Sequence, residues 1–155
     1  MQIIKDGAIV NDDIRHLADD EAPAAGRFTV SFERWQAEKA GLAAAGVRLR
    51  GEHAVADIAA DLPRLELVVV EFPALADGRG FSHARLLRDR YGYAGEVRAL
   101  GGFIRDQVYF LSRVGVNAFE PAAGTDLQAL LPALGEFTVN YQAAADHKQP
   151  AYHRR

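Results

Sequence analysis

The chain has 155 residues, 49% of them apolar and 25% charged, which is one domain's worth of ordinary globular sequence. Its formal charge of -3 gives no reason to expect nucleic acid or an anionic membrane as partner. With no cysteine, it cannot form disulfides, thiolate nucleophiles or cysteine-ligated clusters, so a redox role needs a bound organic cofactor, a histidine-ligated metal or a partner. No apolar run reaches the roughly 20 residues of a membrane span, and Met1 to Gly7 has no signal-peptide character. A cytoplasmic location is the expectation.

Residues 2–10 read as a small hairpin turning at Asp6-Gly7, a favoured hairpin dipeptide. Arg15 to Arg27 is polar, alanine-rich and broken by proline, and reads as loop. Ser31 is placed to cap a helix from Phe32 to Ala45 that buries Trp35 and Leu42 and stops at Gly46. Val47 to Leu49 follows as a short strand, then a helix from Ala54 to about Ala60, ahead of Pro63. Leu65 to Phe72 is nearly continuous apolar sequence with a β-branched centre, the pattern of a strand covered on both faces. A helix over Phe81 to Tyr91, a strand over Gly95 to Leu100, a helix over Ile104 to Val114 and a strand over Val116 to Phe119 complete the alternation. Thr125 or Asp126 caps a last helix through Leu131, and the domain is expected to occupy residues 1–141, with a disordered tail from Gln142 to Arg155.

Strands separated by helices predict a single α/β domain with a largely parallel sheet, either open or an incomplete βα barrel. Both architectures place ligand-binding loops beyond the strand C-termini. The candidate edge therefore holds Glu71 to Gly80, Gly101 to Asp106, and Glu120 to Gly124.

Within it, Asp77-Gly78-Arg79-Gly80 runs into a helix start at Phe81-Ser82. Backbone amides freed by glycine, a partially positive helix end and a guanidinium are the parts of an oxyanion site. An Asp-Gly turn with Arg79 paired to Asp77 or Glu71 explains the same residues. Gly101-Gly102 ahead of Arg105 and Gln107 could form a second anion-accepting turn, and in the helix that follows Ile104, Val108, Leu111 and Val114 line one core-facing stripe with Gln107 among them. Arg88 projects onto the apolar arc of its helix, so it needs a carboxylate such as Glu96 or a bound anion. Glu71, Asp77, His83 and Asp106 are the candidates for acid-base work, each with a bland alternative: a salt bridge to Arg79 or Arg98, a turn, an exposed side chain and a helix cap. No histidine pair has metal-ligand spacing, and no dinucleotide or phosphate-loop fingerprint appears, so no cofactor is implied by motif.

The run EFPALADGRGFSHARLLRDRYGYAGEVRALGGFIRDQ resembles the bacterial domain-of-unknown-function family nine-three-four, with similarity from about Phe28 to Phe119. The DGRGFS, ARLLR and RDQ segments are its specific part. The resemblance implies a small protein often encoded beside sulfite reductase and loosely described as an oxidoreductase of sulfite reduction. It supplies no established catalytic residue. Members often carry a cysteine just before the glycine matching Gly115, whereas Val114 stands here and rules out a thiol mechanism. Two functions remain: an accessory of sulfite reduction partnering the reductase, or a small enzyme acting on an oxyanion or phosphorylated cofactor. Oligomeric state is not legible.

Overall fold

Apolar alternation and turn chemistry place eight short strands in one sheet, described here from a computed structural model covering residues 1–23, 25–73 and 78–135. β1 (Gln2–Lys5) and β2 (Ala8–Asn11) form the expected hairpin. Positive φ at Asp6 and Gly7, 50° and 80°, gives the turn the twist that matches its strands. The others are β3 (Arg15–His16), β4 (Phe28–Ser31), β5 (Gly46–Leu49), β6 (Leu67–Phe72), β7 (Glu96–Gly101) and β8 (Ala118–Pro121). Their order is β2-β1-β8-β7-β6-β5-β4-β3, with β3 to β8 parallel and β1 antiparallel to β8. Each parallel strand is added beside its predecessor, which is barrel winding; a doubly wound sheet would reverse direction from its centre. The fold is a curled half-barrel.

Several boundaries differ from the sequence reading, each for a local reason. β3 falls within the stretch read as loop, where it pairs with β4; β4 follows that stretch directly, and its four residues, all buried, end on the Ser31 cap. The cap itself is as expected, its hydroxyl accepting from the Arg34 amide, but α1 spans only Phe32–Glu38. Gly46, expected as the helix stop, is instead a strand residue pressed against β6: a Cβ there would lie 2.5 Å from the Leu67 carbonyl oxygen. The segment expected as a helix to Ala60 is a 3-10 helix over Val55–Arg64 that carries Pro63 inside it. α2 (Arg79–Arg85) continues through a π-helical turn at Leu86–Arg90, and α3 spans Arg105–Arg113. Asp126 rather than Thr125 caps the short α4 (Leu127–Leu130), accepting from the amides of Gln128 and Ala129. Asp77 and the tail expected to be disordered lie outside the described residues.

Alternation gives the sheet two different faces. Val47, Leu49, Val68, Val70, Val97, Ala99 and Phe119 point to the helices, where Trp35, Ile58, Ala84, Leu87, Val108 and Leu111 complete the main core. The inner face carries a smaller apolar cluster of Ile14, Ala45, Leu67 and Val69, flanked by charge. Since β2 and β3 sit at opposite edges, Asp12 to Ile14 must cross this face to join them. Among the described residues, no helix is long and apolar enough to cross a membrane.

Gly46→Ala is expected to destabilise the fold by about 1–3 kcal/mol, because its nearest contact is backbone that cannot move aside. Urea unfolding measures this, and an unchanged midpoint would contradict the packing argument.

Candidate functional site

The loops after β6 and β7 are neighbours because those strands pair over six residues, Leu67↔Glu96 to Phe72↔Gly101. Gly78, Arg79 and Ser82 therefore share one rim with Gly101, Gly102, Arg105, Asp106 and Gln107. Arg79, Ser82, Arg105 and Asp106 are exposed there, and Arg79, Arg105 and Gln107 already hold intramolecular partners. Two of the rim glycines serve packing and pairing. A Cβ on Gly80 would come within 2.5 Å of the Phe72 ring, and the Gly102 amide donates to the Phe72 carbonyl at 2.7 Å. Gly101 takes φ 111°, which turns the chain out of β7. Gln107, expected on the core stripe, caps α3 instead: its Oε1 accepts from the Ile104 amide at 3.0 Å. Ile104 is 46% exposed, although the helical stripe placed it in the core.

His83 and Arg88 depart furthest from expectation. His83 is buried, 7% exposed, and its Nε2 donates to the Arg50 carbonyl at 3.0 Å, while Nδ1 has no partner among the described residues. The sequence pointed it at solvent because the stripe was centred on Phe81. The buried positions are Gly80, His83, Ala84 and Leu87, so the stripe starts on a glycine that gives no hydrophobic signal. Arg88 lies at the other edge of the sheet, remote from the rim. It is half-buried and donates to the carbonyls of Gly115, Tyr93 and Gly95 and to Asn117 Oδ1, with no carboxylate in the set. Burial pulls its pKa below the ordinary arginine value. Glu96, its expected partner, pairs with Lys5 and Arg98.

Glu71 is bound to Arg48 at 3.0 Å and lies 3.9 Å from Arg50, where the sequence offered Arg79 or Arg98. This pair opens onto a polar network that the sequence reading missed. Arg98 is wholly buried: Nε donates to Glu96 at 2.7 Å, and Nη1 donates to Asp12 at 2.8 Å and Glu120 at 2.9 Å. His16 Nε2 stands 2.9 Å from Glu120 Oε2, and its Nδ1 stands 2.7 Å from the Thr29 hydroxyl. Arg48 donates to that hydroxyl and to the carbonyls of Thr29 and Leu17. The register puts Glu71, Leu100 and Glu120 in one row, above a row of Arg48, Val69 and Arg98.

The charges are set by these contacts. Burial pushes the Glu120 carboxyl up, but its bonds to His16 and Arg98 outweigh this and hold it below the usual carboxylate value. Asp12 behaves alike: burial raises it, while Arg98 and Arg27 bring it lower. Burial lowers Arg98 less than its carboxylates raise it, so it is held firmly cationic. Further along the edge, His53 Nδ1 accepts the Arg50 amide, so its Nε2 carries the proton and donates to Glu33 at 2.9 Å.

Chemically, Thr29, His16 and Glu120 stand in hydroxyl, imidazole and carboxylate order, yet Thr29 is fully buried and its oxygen also accepts from Arg48. The solvent-reaching members of the mouth are His16 and Glu71, with side chains 20% and 27% exposed. A groove of about 460 Å³ beside Glu120 runs along Gly124, Thr125 and Asp126. Among the described residues no group of three or more acids or histidines could hold a metal ion.

A family model described as a bacterial protein of unknown function (DUF934) matches residues 46–152. Neither the curated proteins nor the solved structures give a match.

Arg98→Met is expected to cost about 3–5 kcal/mol, since it strands Asp12, Glu96 and Glu120 without their cation. Stability should also fall in acid. Asp12, Glu33, Asp61 and Glu120 all have depressed pKa values, so each contributes stability above its unfolded pKa and loses it as pH drops through the folded one. Melting temperature should hold level from neutral pH to about 5 and decline below about 4, and Glu120→Gln should flatten that decline. An acid limb identical in the variant would remove Glu120 from the account.

Proposed function

The chain belongs to the bacterial family of unknown function DUF934, and from that premise we propose that it is an accessory protein of assimilatory sulfite reduction, acting with sulfite reductase. The family resemblance supplies the pathway. The observation that favours an accessory over a free-standing catalyst is the neutralisation of the inner face. Arg48 and Arg98, the cations best placed to catch a substrate anion, are held by Glu71, Asp12, Glu96 and Glu120. Ile14 and Leu67 occupy the space beneath them.

Small oxyanions would instead meet the chain at the rim, where exposed Arg79 and Arg105 follow adjacent strands. Such an anion would compete with partners both arginines already have, so its binding is weak and screened by salt. The alternative, a small enzyme acting on an oxyanion or a phosphorylated cofactor, draws support from one feature. Glu71 sits half-exposed between Arg48 and Arg50 at the edge where barrel enzymes place their catalytic groups.

Deleting the gene should slow growth on sulfate and leave growth on cysteine unchanged; equal growth on both would remove the pathway. Re-expressing Glu71→Gln then separates the readings. Full rescue is expected of an accessory protein, and failed rescue by a variant with unchanged melting temperature would favour the enzyme. For the rim, Arg79→Ala with Arg105→Ala should abolish any sulfite or phosphate titration without loss of fold, since both side chains are exposed. An unchanged titration would place the anion elsewhere.

A further inference from the structure

Among the described residues, the large apolar side chains left exposed are Met1 at the N-terminus and three that fall close together in sequence. Leu86, Ile104 and Phe110 are 39%, 46% and 54% exposed, and all three stand on or at the start of the two consecutive helical segments 79–90 and 105–113. These segments flank β7 on the same side of the sheet and meet at their C-terminal ends, where Arg88 donates to the Gly115 carbonyl. Phe110 packs edge-on against Tyr109, 5.5 Å between ring centroids, which holds the exposed ring in place.

Charge on this stretch runs against the rest of the molecule. Among its exposed side chains, Arg79, Arg85, Arg90 and Arg105 outnumber Asp89 and Asp106, whereas the whole chain has 18 basic and 21 acidic side chains. Arg85 and Arg90 are exposed beside Leu86; Arg85 holds only an exposed pair with Asp89 at 3.3 Å, an interaction of small net strength. Apolar residues with an aromatic anchor and an arginine rim are what a protein interface concentrates.

We propose that the α2–α3 face is a docking surface for an acidic protein with an apolar centre. Charge complementarity selects the partner: an acidic patch fits this face and is repelled by the remainder of the chain, which fixes orientation as well as contact. A nucleic acid or anionic membrane fits less well, because Asp89 and Asp106 stand among the arginines and would face phosphate. The inference is compatible with the accessory role above and does not require it, since it rests on surface chemistry alone.

The test places a photo-crosslinking amino acid at position 110 in living cells, with the exposed Asp57, on the 3-10 helix, as the control position. The protein captured at 110 alone is then purified and titrated with the wild-type chain. Two variants accompany it, Leu86→Ser with Phe110→Ser, and Arg85→Glu with Arg90→Glu. The proposal expects an acidic partner, binding weakened about tenfold or more by each pair, affinity falling as salt rises, and unchanged melting temperatures. It is overturned if no protein is captured specifically at 110, if the captured protein is basic or is a second copy of this chain, or if either variant binds normally. Tighter binding to duplex DNA or phosphatidylglycerol vesicles than to the captured protein would overturn it as well. An acidic partner other than sulfite reductase would leave this surface standing while counting against the pathway reading.

Discussion

Arg98 is the residue on which the inner half of the molecule depends. A guanidinium with no solvent exposure is tolerable only where carboxylates surround it, and three different parts of the chain supply them: Glu96 from its own strand, Glu120 from the next, and Asp12 from the segment that crosses the sheet. Without that cation, three acids would share one low-dielectric space. With it, they become the means by which the crossing segment is fixed. Closed βα barrels fill their interiors with layers of branched apolar side chains. This half-barrel has too little wall for that, and it substitutes an ion network around a small patch of Ile14, Ala45, Leu67 and Val69.

The network closes the curl without closing the sheet. β3 and β8 are separated by four intervening strands, yet His16 on one reaches Glu120 on the other at 2.9 Å. β8 already pairs with β7 and β1, so backbone pairing to β3 is closed to it. A histidine bridging a carboxylate and the Thr29 hydroxyl spans the gap with side chains instead. Specificity of this kind, set by directional polar contacts more than by apolar area, suits a face that must adopt one register.

The alternation of strands and helices was legible because Val68 to Val70, Val97 and Ala99 give strong periodic or continuous apolar signals, and the parallel pairing of β6 with β7 followed from chain connectivity. β3 and β4 were not legible: two residues and four residues carry little pattern, and both owe their conformation to neighbours distant in sequence. For the site, Glu71 and the rim arginines were found because loop position and residue type coincide. Glu120 was placed on the candidate edge without a role, and His16, Arg48 and Arg98 were missed, for a different reason. Their meaning lies in which face of the sheet they occupy, and that face became an interior only once Asp12 to Ile14 crossed it. Alternation in Glu96-Val97-Arg98-Ala99 held a usable hint, since charge at every second position of a buried strand demands a partner.

The crossing segment also imposes an order on assembly. Strands β4 to β8 are neighbours in sequence and can pair in turn as the chain emerges from the ribosome. β1 cannot, because its partner is β8, and the His16–Glu120 contact spans 104 residues. Until the last strand is available, Ile3 and Ile4, both fully buried in the finished fold, have nowhere to go. The N-terminal hairpin is thus made first and docked last, so the polar interior is completed in a single late step of high contact order. A nascent chain stalled before β8 would expose that greasy hairpin to chaperones, and the finished molecule would unlatch at the same seam first when pulled from its N-terminus.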